Sequence, residues 1–445
     1  MTAFYSILHF LVDGVCAAAM FGYVISGKDG YVLILLYNFC AFALQMPFGA
    51  VLDAVNEKEE ERMQEELLRN ADSKQNKKDW SLTAAFAGVL CTIVGAVTHP
   101  VLLGIGNALF HVGGGVGTIC QKSRERGYGG NGGNDGDGGN DGDSGNDGDR
   151  GNDGDSGNDG DSGNGADWTL SGSRSLLVRL GVFVAPGAVG LYLGTLAAKA
   201  GYWSAAFLCG SAAMLLCCAV FFVWLRRTEE LDREQRQDVR TEYLHRTDGI
   251  QKPGPVAESV TDIAGSRKSG GSTVKKYRIV RLSVCCLLVV IIRSYIGMAV
   301  TFPWKTGISA GLPAVLALAG GKTAGGFLAA WGGAKRTAAV SLMSASVCYL
   351  FSFVMPIGLA ALFFFNMTMP VTLYWMILAL PRKPGFAFGF LTFALFLGFL
   401  PGYLDVQTGL AGNVIGSAGS LLSLVILAIG VGMNRRIGRG RAGAL

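Results

Sequence analysis

About a dozen apolar stretches of roughly 20 residues follow one another along the 445-residue chain, and this pattern constrains the fold more than any other feature. A stretch of that length matches the hydrocarbon thickness of a bilayer, and soluble proteins do not contain so many in series. Because a segment inside lipid must satisfy its backbone polar groups internally, each stretch is predicted to be a helix. The twelve predicted spans lie roughly at 4–26, 31–53, 81–98, 100–119, 179–198, 202–225, 279–300, 309–331, 337–354, 357–380, 385–404 and 412–433.

A polar segment divides the chain near its middle. Residues 226–278 are rich in charge and separate six predicted spans in residues 1–225 from six in residues 279–445. Two groups of six spans joined by a long linker are typical of transporters built from two related halves. We therefore predict an all-α membrane protein with twelve transmembrane helices in two six-helix bundles.

A low-complexity insert at residues 129–165 interrupts the first half. Within it, Asn134–Gly163 repeats the pattern Asn-Asp-Gly-Asp-x-Gly five times. A calcium-binding hand needs Glu at its twelfth position, and a calcium β-roll needs an apolar residue in each repeat; the insert has neither. We predict a disordered, solvated cytoplasmic loop, with weak cation binding as the alternative.

The basic residues are distributed unevenly between the two predicted sides of the membrane. The whole chain has a formal net charge of +5, but the insert holds ten of its 33 acidic residues, so the rest is strongly basic. With the N-terminus inside, the outer loops contain only Lys28, Lys199 and Lys305. This bias predicts a multi-pass protein of the plasma or inner membrane with both termini cytoplasmic. The apolar spans make the lipid bilayer, and not a nucleic acid, the expected partner of this basic surface.

The first predicted span carries three polar residues on one helical face. Tyr5, His9 and Asp13 are spaced i, i+4 and i+8, and Asp13 lies near mid-membrane. A carboxylate there is costly to keep charged without a partner, so it can take up and release a proton as its surroundings change. We predict that Asp13 carries the coupling proton and that His9 relays it. A structural Asp13, permanently paired to a neighbour, is the alternative.

Spans two and four carry a second group of polar residues. Asn107 and His111 are four residues apart in a glycine-rich stretch that allows close helix approach. Asn38 and Gln45 are seven residues apart on one face of span two. We predict substrate-binding roles for all four, with interhelical hydrogen bonds as the alternative.

Two basic residues lie within the spans of the second half. A guanidinium stays protonated in practice, so Arg293, near the middle of span seven, must face a partner, a cavity or an anionic substrate. We predict that Arg293 binds an anionic substrate or stabilises the deprotonated Asp13. Lys322 lies toward the cytoplasmic end of span eight and is expected to extend its ammonium to the membrane surface.

Motifs typical of other protein classes are absent from the sequence. It contains no C-x-x-C or H-E-x-x-H metal-ligand spacing, no G-x-S-x-G elbow and no complete G-x-x-x-x-G-K-S/T phosphate-binding loop. We predict no enzymatic activity, no cofactor, no metal site and no use of ATP. The ten cysteines are predicted to act as small hydrophobic residues.

Two loop motifs resemble those of the major facilitator superfamily of secondary transporters. Gly49–Asp53 ends span two and Gly326–Arg336 ends span eight, and both are similar to the superfamily's Gly-rich, Asp-and-basic motif. They stand at equivalent places in the two halves. The resemblance implies that Asp53, Lys335 and Arg336 take part in gating.

Other motifs resemble those of particular groups within this superfamily. His9–Asp13, Ala108–His111 and Arg293–Ser294 are similar to elements of the fosmidomycin-resistance group of efflux proteins. The stretch around Pro186 in span five resembles the Gly-Pro motif of the superfamily's antiporters, which implies a gating role. Proline and small residues kink and thin a helix and let its neighbours approach.

The resemblance implies a secondary transporter that works by alternating access between two bundles. We predict a monomeric, proton-coupled exporter of a small organic or drug-like compound, with an anion among the candidates. A proton-coupled importer of a small organic anion is one alternative. A non-transporting membrane receptor is the other.

Overall fold

The computed structural model describes residues 1–26, 30–69, 78–121, 170–247, 272–306, 311–406 and 409–432 of the chain. The regular secondary structure of these residues is helical. In chain order the helices are α1 (Thr2–Ser26), α2 (Gly30–Asn38), α3 (Gln45–Arg69), α4 (Trp80–Thr98), α5 (Pro100–Ile119), α6 (Leu170–Val184), α7 (Pro186–Lys199), α8 (Trp203–Thr247), α9 (Ser272–Ala299), α10 (Gly311–Gly332), α11 (Ala334–Leu350), α12 (Met355–Asn366), α13 (Thr368–Ala379), α14 (Pro384–Tyr403) and α15 (Gly412–Val431). A π-helical segment, Phe39–Ala43, joins α2 to α3.

Long apolar helices account for the predicted spans. Eleven helical segments among the described residues are long and apolar enough to cross a bilayer. Helix α11, with 17 residues, lies where the remaining span is predicted, at 337–354. The prediction of an all-α membrane fold is therefore confirmed.

Besides span two, which contains the π-helical segment, two of the predicted spans are interrupted near their middle. Helix α6 ends at Val184 and α7 begins at Pro186, because proline lacks the N–H that would continue the helical hydrogen bonding. The span predicted at 357–380 is divided at Met367 into α12 and α13. Each interruption leaves backbone groups that other parts of the molecule can bind.

Glycines bring α1 and α7 into backbone contact. A β-carbon at Gly190 would overlap the carbonyl oxygen of Phe10, and one at Gly194 would overlap the carbonyl oxygen of Gly14. Such small residues allow helices in lipid to approach more closely than larger side chains permit. The backbone of α7 is therefore held beside the part of α1 that carries the predicted proton-coupling residues.

In the second half, α9 packs against α13, α14 and α15, while α12 packs against α10 and α11. The two halves meet mainly where α3 packs on α14 and α6 packs on α10. At the second of these contacts, a β-carbon on Gly326 would lie 2.6 Å from the carbonyl oxygen of Leu177. Glycine therefore sets the closeness of the two halves at this contact.

Several predicted features fall partly or wholly outside the described residues. The repeat insert at 129–165 and positions 248–271 of the predicted linker belong to this group. Helices α8 and α9 extend into the predicted linker from its two sides. The domain boundaries and the membrane orientation stay predictions.

Candidate functional site

A cavity of about 310 Å³ lies among helices from both halves of the chain. Its size is at the lower end of the range of small-molecule sites. The lining residues are His9, Asp13, Phe42, Gln45, His111, Phe183, Val184, Gly187, Ala188, Leu191, Val290, Arg293, Ser294, Gly297, Leu318, Lys322, Asn366, Met369, Thr372, Leu373, Phe388, Leu391, Thr392, Leu395 and Phe399. Most of these residues are apolar. The five ionisable ones form two groups, one that contains a carboxylate and two histidines and one that contains two cations.

The first group is a cluster of His9, Asp13 and His111, called here the His–Asp–His cluster. The Nε2 atom of His9 lies 3.2 Å from Oδ2 of Asp13, and Nε2 of His111 lies 3.5 Å from Oδ1. The two imidazole rings are nearly perpendicular, with centroids 4.6 Å apart. The structure thus brings together, from α1 and α5, three residues that the sequence places up to 102 positions apart.

Backbone hydrogen bonds fix the orientation of both imidazoles in this cluster. Nδ1 of His9 donates to the carbonyl oxygen of Phe183 at 2.7 Å, and Nδ1 of His111 donates to the carbonyl oxygen of Asn107 at 2.8 Å. A carbonyl oxygen only accepts, so each Nδ1 must carry a hydrogen. In the neutral imidazoles Nε2 is then an acceptor that faces the Asp13 carboxylate, which is also an acceptor. A proton between each pair relieves this repulsion, so the arrangement can hold a proton at each contact; the predicted proton-coupling role of Asp13 and His9 stays a prediction.

The break at Pro186 provides some of the acceptors for this arrangement. Three successive carbonyl groups at the end of α6 accept hydrogen bonds from side chains of other helices. The donors are Ser6 Oγ to Val182 at 3.2 Å, His9 Nδ1 to Phe183 at 2.7 Å and Lys322 Nζ to Val184 at 3.2 Å. In an unbroken helix the N–H of residue 186 would bond the carbonyl of Val182, and proline has no N–H to donate. Pro186, the predicted gating proline, thus leaves the carbonyl oxygen of Val182 free to accept from Ser6.

Asn107 supports the cluster from outside the cavity lining. Its Nδ2 donates to Asp13 Oδ1 at 3.2 Å and contacts Cys16 Sγ at 3.5 Å. The Asn107 side chain therefore holds the Asp13 carboxylate in place through a hydrogen bond. Its predicted role in substrate binding stays a prediction.

The two polar residues predicted on span two have different surroundings. Gln45 lines the cavity and donates from Nε2 to the carbonyl of Ala41 at 2.7 Å. Its buried Oε1 has no hydrogen-bond partner among the described residues, so it is free to accept from a ligand. Asn38 donates to the carbonyl of Ile34 in its own helix at 2.8 Å and is not among the residues that line the cavity.

The second ionisable group consists of two cations from the other half, Arg293 on α9 and Lys322 on α10. Arg293 is 7% exposed, and its buried Nη1 has no hydrogen-bond partner within the described part of the chain. Lys322 lies against the cavity and bonds Val184, so it does not extend to the membrane surface as expected from the sequence. Among the described residues, the ion pairs of Asp13 are with the two histidines and not with Arg293.

Gly187 forms the wall of the cavity behind the cluster. A β-carbon at this position would overlap both His9 Nε2 and Asp13 Oδ2. Glycine is therefore the residue that lets α7 pass directly beside His9 Nε2 and Asp13 Oδ2.

Gly187→Ala is expected to reduce proton-coupled transport about tenfold or more, because the new methyl group must displace His9 or Asp13. Overpacking of this kind costs roughly 1–3 kcal/mol, and about 1.4 kcal/mol corresponds to a tenfold change in rate. Initial transport rates in proteoliposomes measure the effect. Gly297→Ala is the matched control, since a β-carbon there meets no atom within 4 Å although Gly297 lines the same cavity. Equal loss of activity in both variants would contradict the assigned role of Gly187.

Asp53 links α3 to the beginning of α14. Its Oδ1 accepts from the backbone N–H of Gly385 and its Oδ2 from that of Phe386, both at 2.8 Å. The N-terminus of a helix carries partial positive charge and unpaired N–H groups, so a buried carboxylate is stabilised there. Lys335 and Arg336, the other predicted gating residues, are exposed in the first turn of α11. Their gating role stays a prediction.

Asp53→Asn is expected to separate α3 from α14 in a larger fraction of molecules, because an amide has one acceptor oxygen and no charge. Hydrogen bonds to charged groups contribute about 1.5–3 kcal/mol each. Spin labels at the exposed positions Glu57 and Arg382, in a variant without the ten native cysteines, measure the distance between these ends. Glu61→Gln, at an exposed site on α3, is the control and should leave the distances unchanged. An unchanged distance distribution in Asp53→Asn would show that this contact does not hold the halves together.

Comparisons with known proteins identify the fold. No family profile and no curated protein matches the sequence. Among solved structures, the human organic anion transporter MFSD10 (TETRAN) is similar at 11% identity and a TM-score of 0.50, over 95% of this chain and 98% of that chain. The chain has the major facilitator fold. The E. coli fucose:proton symporter FucP also matches, at 10% identity and a TM-score of 0.49, over 97% of each chain.

A chain with this fold and these apolar helices is a multi-pass membrane protein. The resemblance to the fosmidomycin-resistance group stays a prediction.

Sequence reasoning missed two parts of the site. Lys322 was assigned to the membrane surface because it stands close to one end of its span. Gly187 was indicated only as part of a small-residue stretch, because no sequence pattern shows which side chains oppose a glycine.

Proposed function

We propose that the chain is a secondary transporter that couples proton movement to the transport of a small organic anion. One observation carries this proposal: a single cavity is lined by the His–Asp–His cluster from the first half and by Arg293 and Lys322 from the second. A site shared by two halves is what alternating access requires, because rocking of the halves exposes it to each side in turn. The substrate passes through without chemical change.

The charges of the cavity support an anion as substrate. Its lining contains one carboxylate, Asp13, against two cations, Arg293 and Lys322. The cavity therefore has excess positive charge even when both histidines are neutral, and each proton on the cluster adds to it. The unpartnered Nη1 of Arg293 can donate a charge-assisted hydrogen bond to a carboxylate or phosphonate oxygen.

The remainder of the lining supports an apolar body for this anion. Phe183, Phe388, Leu391, Leu395 and Phe399 border the cavity. Burial of apolar surface contributes about 25 cal/mol per Å² to binding. A small aromatic or branched carboxylate meets both requirements.

The same charges bear on the direction of transport. A bound anion attracts protons to the nearby cluster, and protons on the cluster attract the anion. Mutual stabilisation of this kind favours movement of both in the same direction, which is uptake when the proton gradient is directed inward. The export predicted from the sequence would require the anion and the protons to compete for binding to the cavity.

Flux measurements in proteoliposomes test the proposal. An imposed proton gradient should drive accumulation of one or more members of a panel of small aromatic and branched carboxylates, with an internal pH dye reporting proton movement. Protons moving with the anion support import, and protons moving against it support the export predicted from the sequence. If no anion crosses the membrane at any gradient, the proposal fails and a non-transporting receptor becomes the better hypothesis.

The remaining parts of the proposal concern the state of the protein in the cell. We propose a monomer in the plasma or inner membrane, with both termini on the cytoplasmic side. Each six-helix half then moves as a unit, and the Asp53 contact with α14 closes the cytoplasmic end of the cavity.

A further inference from the structure

The His–Asp–His cluster has the composition and spacing of a metal site as well as of a proton site. One ligand atom from each of its three residues can be chosen so that all lie within 4.8 Å of one another. His9 Nε2 lies 3.2 Å from Asp13 Oδ2, and His111 Nε2 lies 3.5 Å from the other carboxylate oxygen, Oδ1. Ligands of one tetrahedral zinc ion, at about 2.0–2.1 Å from the metal, lie roughly 3.3–3.4 Å from each other. The two His–carboxylate distances match this spacing, whereas separations of up to 4.8 Å within the set mean that a single ion would draw the ligand atoms closer together.

The hydrogen bonds behind the cluster are those that metal-binding histidines use. Both imidazoles donate from Nδ1 to a backbone carbonyl, at 2.7 Å for His9 and 2.8 Å for His111. Such bonds set the tautomer and leave the Nε2 lone pair directed at the metal. The Asp13 carboxylate is likewise held by the amide of Asn107. The ligands are therefore oriented before any ion arrives.

We propose that His9, Asp13 and His111 bind one divalent transition-metal ion, of the zinc or cobalt type, in exchange for protons. Imidazole and carboxylate together suit such ions better than they suit calcium or magnesium, which prefer oxygen ligands. Three protein ligands leave at least one coordination position open to the cavity. The proposal goes beyond the proposed function and does not rest on it.

The charges of the cavity permit this exchange. A cluster holding two protons, one at each Nε2–carboxylate contact, has the same net charge as a deprotonated cluster holding one divalent ion. Arg293 and Lys322 therefore oppose the ion no more than they oppose the doubly protonated cluster. Cys16 and Tyr37, the other ionisable groups near Asp13, add no charge when they are neutral.

Because the metal ion replaces protons, its affinity for the cluster should decrease as the pH decreases. The metal and the protons compete for the same lone pairs, so affinity falls as the pH falls, by up to ~100-fold per pH unit where two protons leave. For the same reason the addition of metal should release protons, up to two per bound ion, at a pH where the cluster is protonated.

Titration of the purified full-length chain with Co²⁺ tests the proposal. The protein carries an affinity tag without histidine, and visible absorption reports tetrahedral coordination. We expect one Co²⁺ per chain, displaced by Zn²⁺, with proton release measured in weak buffer. His9→Gln, His111→Gln and Asp13→Asn should each weaken binding at least ~10-fold, the size of effect seen even for residues that only support a metal ligand.

A matched control separates this site from the rest of the chain. The double variant His99→Ala, His245→Ala removes the other two of the four histidines and should bind as the unmodified protein does. Loss of binding in the control, or binding that is unchanged in His111→Gln, would overturn the proposal. So would the absence of both a cobalt spectrum and proton release in the unmodified protein, a measurement that does not depend on whether any variant folds.

Discussion

Proton-driven accumulation of the substrate should be lost in Asp13→Asn, while exchange of substrate across the membrane persists. The amide keeps the shape of the carboxyl group but cannot bind and release a proton at ordinary pH. The amide oxygen can still accept from Asn107 and the amide NH2 can donate to Nε2 of His9, so the site keeps most of its contacts. The measurement compares uptake driven by a pH gradient with tracer counterflow in the same proteoliposomes.

The control for this prediction is Asp79→Asn. Asp79 is exposed and accepts a hydrogen bond from the N–H of Leu82 at the start of α4, at 3.1 Å. Asparagine caps a helix about as well as aspartate, so transport should be unaffected. If Asp13→Asn still accumulates substrate against its gradient with the original response to pH, Asp13 does not carry the coupling proton.

Arg293→Ala should weaken substrate binding by ~10- to 150-fold. A hydrogen bond to a charged group contributes about 1.5–3 kcal/mol, and each 1.4 kcal/mol is a factor of ten in affinity. Arg293→Lys keeps the charge but loses the planar fork, so a paired contact with a carboxylate should still be clearly weakened. Half-saturating substrate concentrations for counterflow measure both effects.

Two further variants distinguish substrate binding from a structural role for Arg293. Arg278→Ala removes an exposed arginine from the same helix, α9, and should leave affinity unchanged. If Arg293 instead stabilises Asp13 in another state of the transporter, Arg293→Ala combined with Asp13→Asn should recover part of the counterflow lost in Arg293→Ala. Unchanged affinity and pH profile in Arg293→Ala would reject both roles.

The fold could be predicted from the sequence because lipid imposes a simple rule on the backbone. Apolar stretches of about 20 residues must be helical, and their number and grouping indicate the architecture. The polar face of α1 was predictable for the same reason, because His9 and Asp13 are four residues apart on one helix. Ionisable residues within spans are costly, so Asp13, His111 and Arg293 could be singled out without any structure.

The contacts between site residues on different helices could not be predicted from the sequence. His111 approaches Asp13 only because α5 packs against α1, a contact that no local pattern specifies. The predicted absence of a metal site relied on short spacings between ligands, and the three residues proposed above to bind a metal come from two separate helices. The tautomers of the histidines depend on the carbonyl oxygen of Phe183 and on that of Asn107, which side-chain patterns do not reveal.

The hydrogen bond from Lys322 to the Val184 carbonyl has a kinetic consequence. It joins α10 to α6, one of the pairs of helices through which the halves meet, so separation of these helices removes the acceptor. A buried ammonium that loses its acceptor is costly, and a bound anion can take the place of the carbonyl oxygen. The loaded carrier should therefore reorient faster than the empty one, and one-for-one exchange of labelled for unlabelled substrate should outpace net flux.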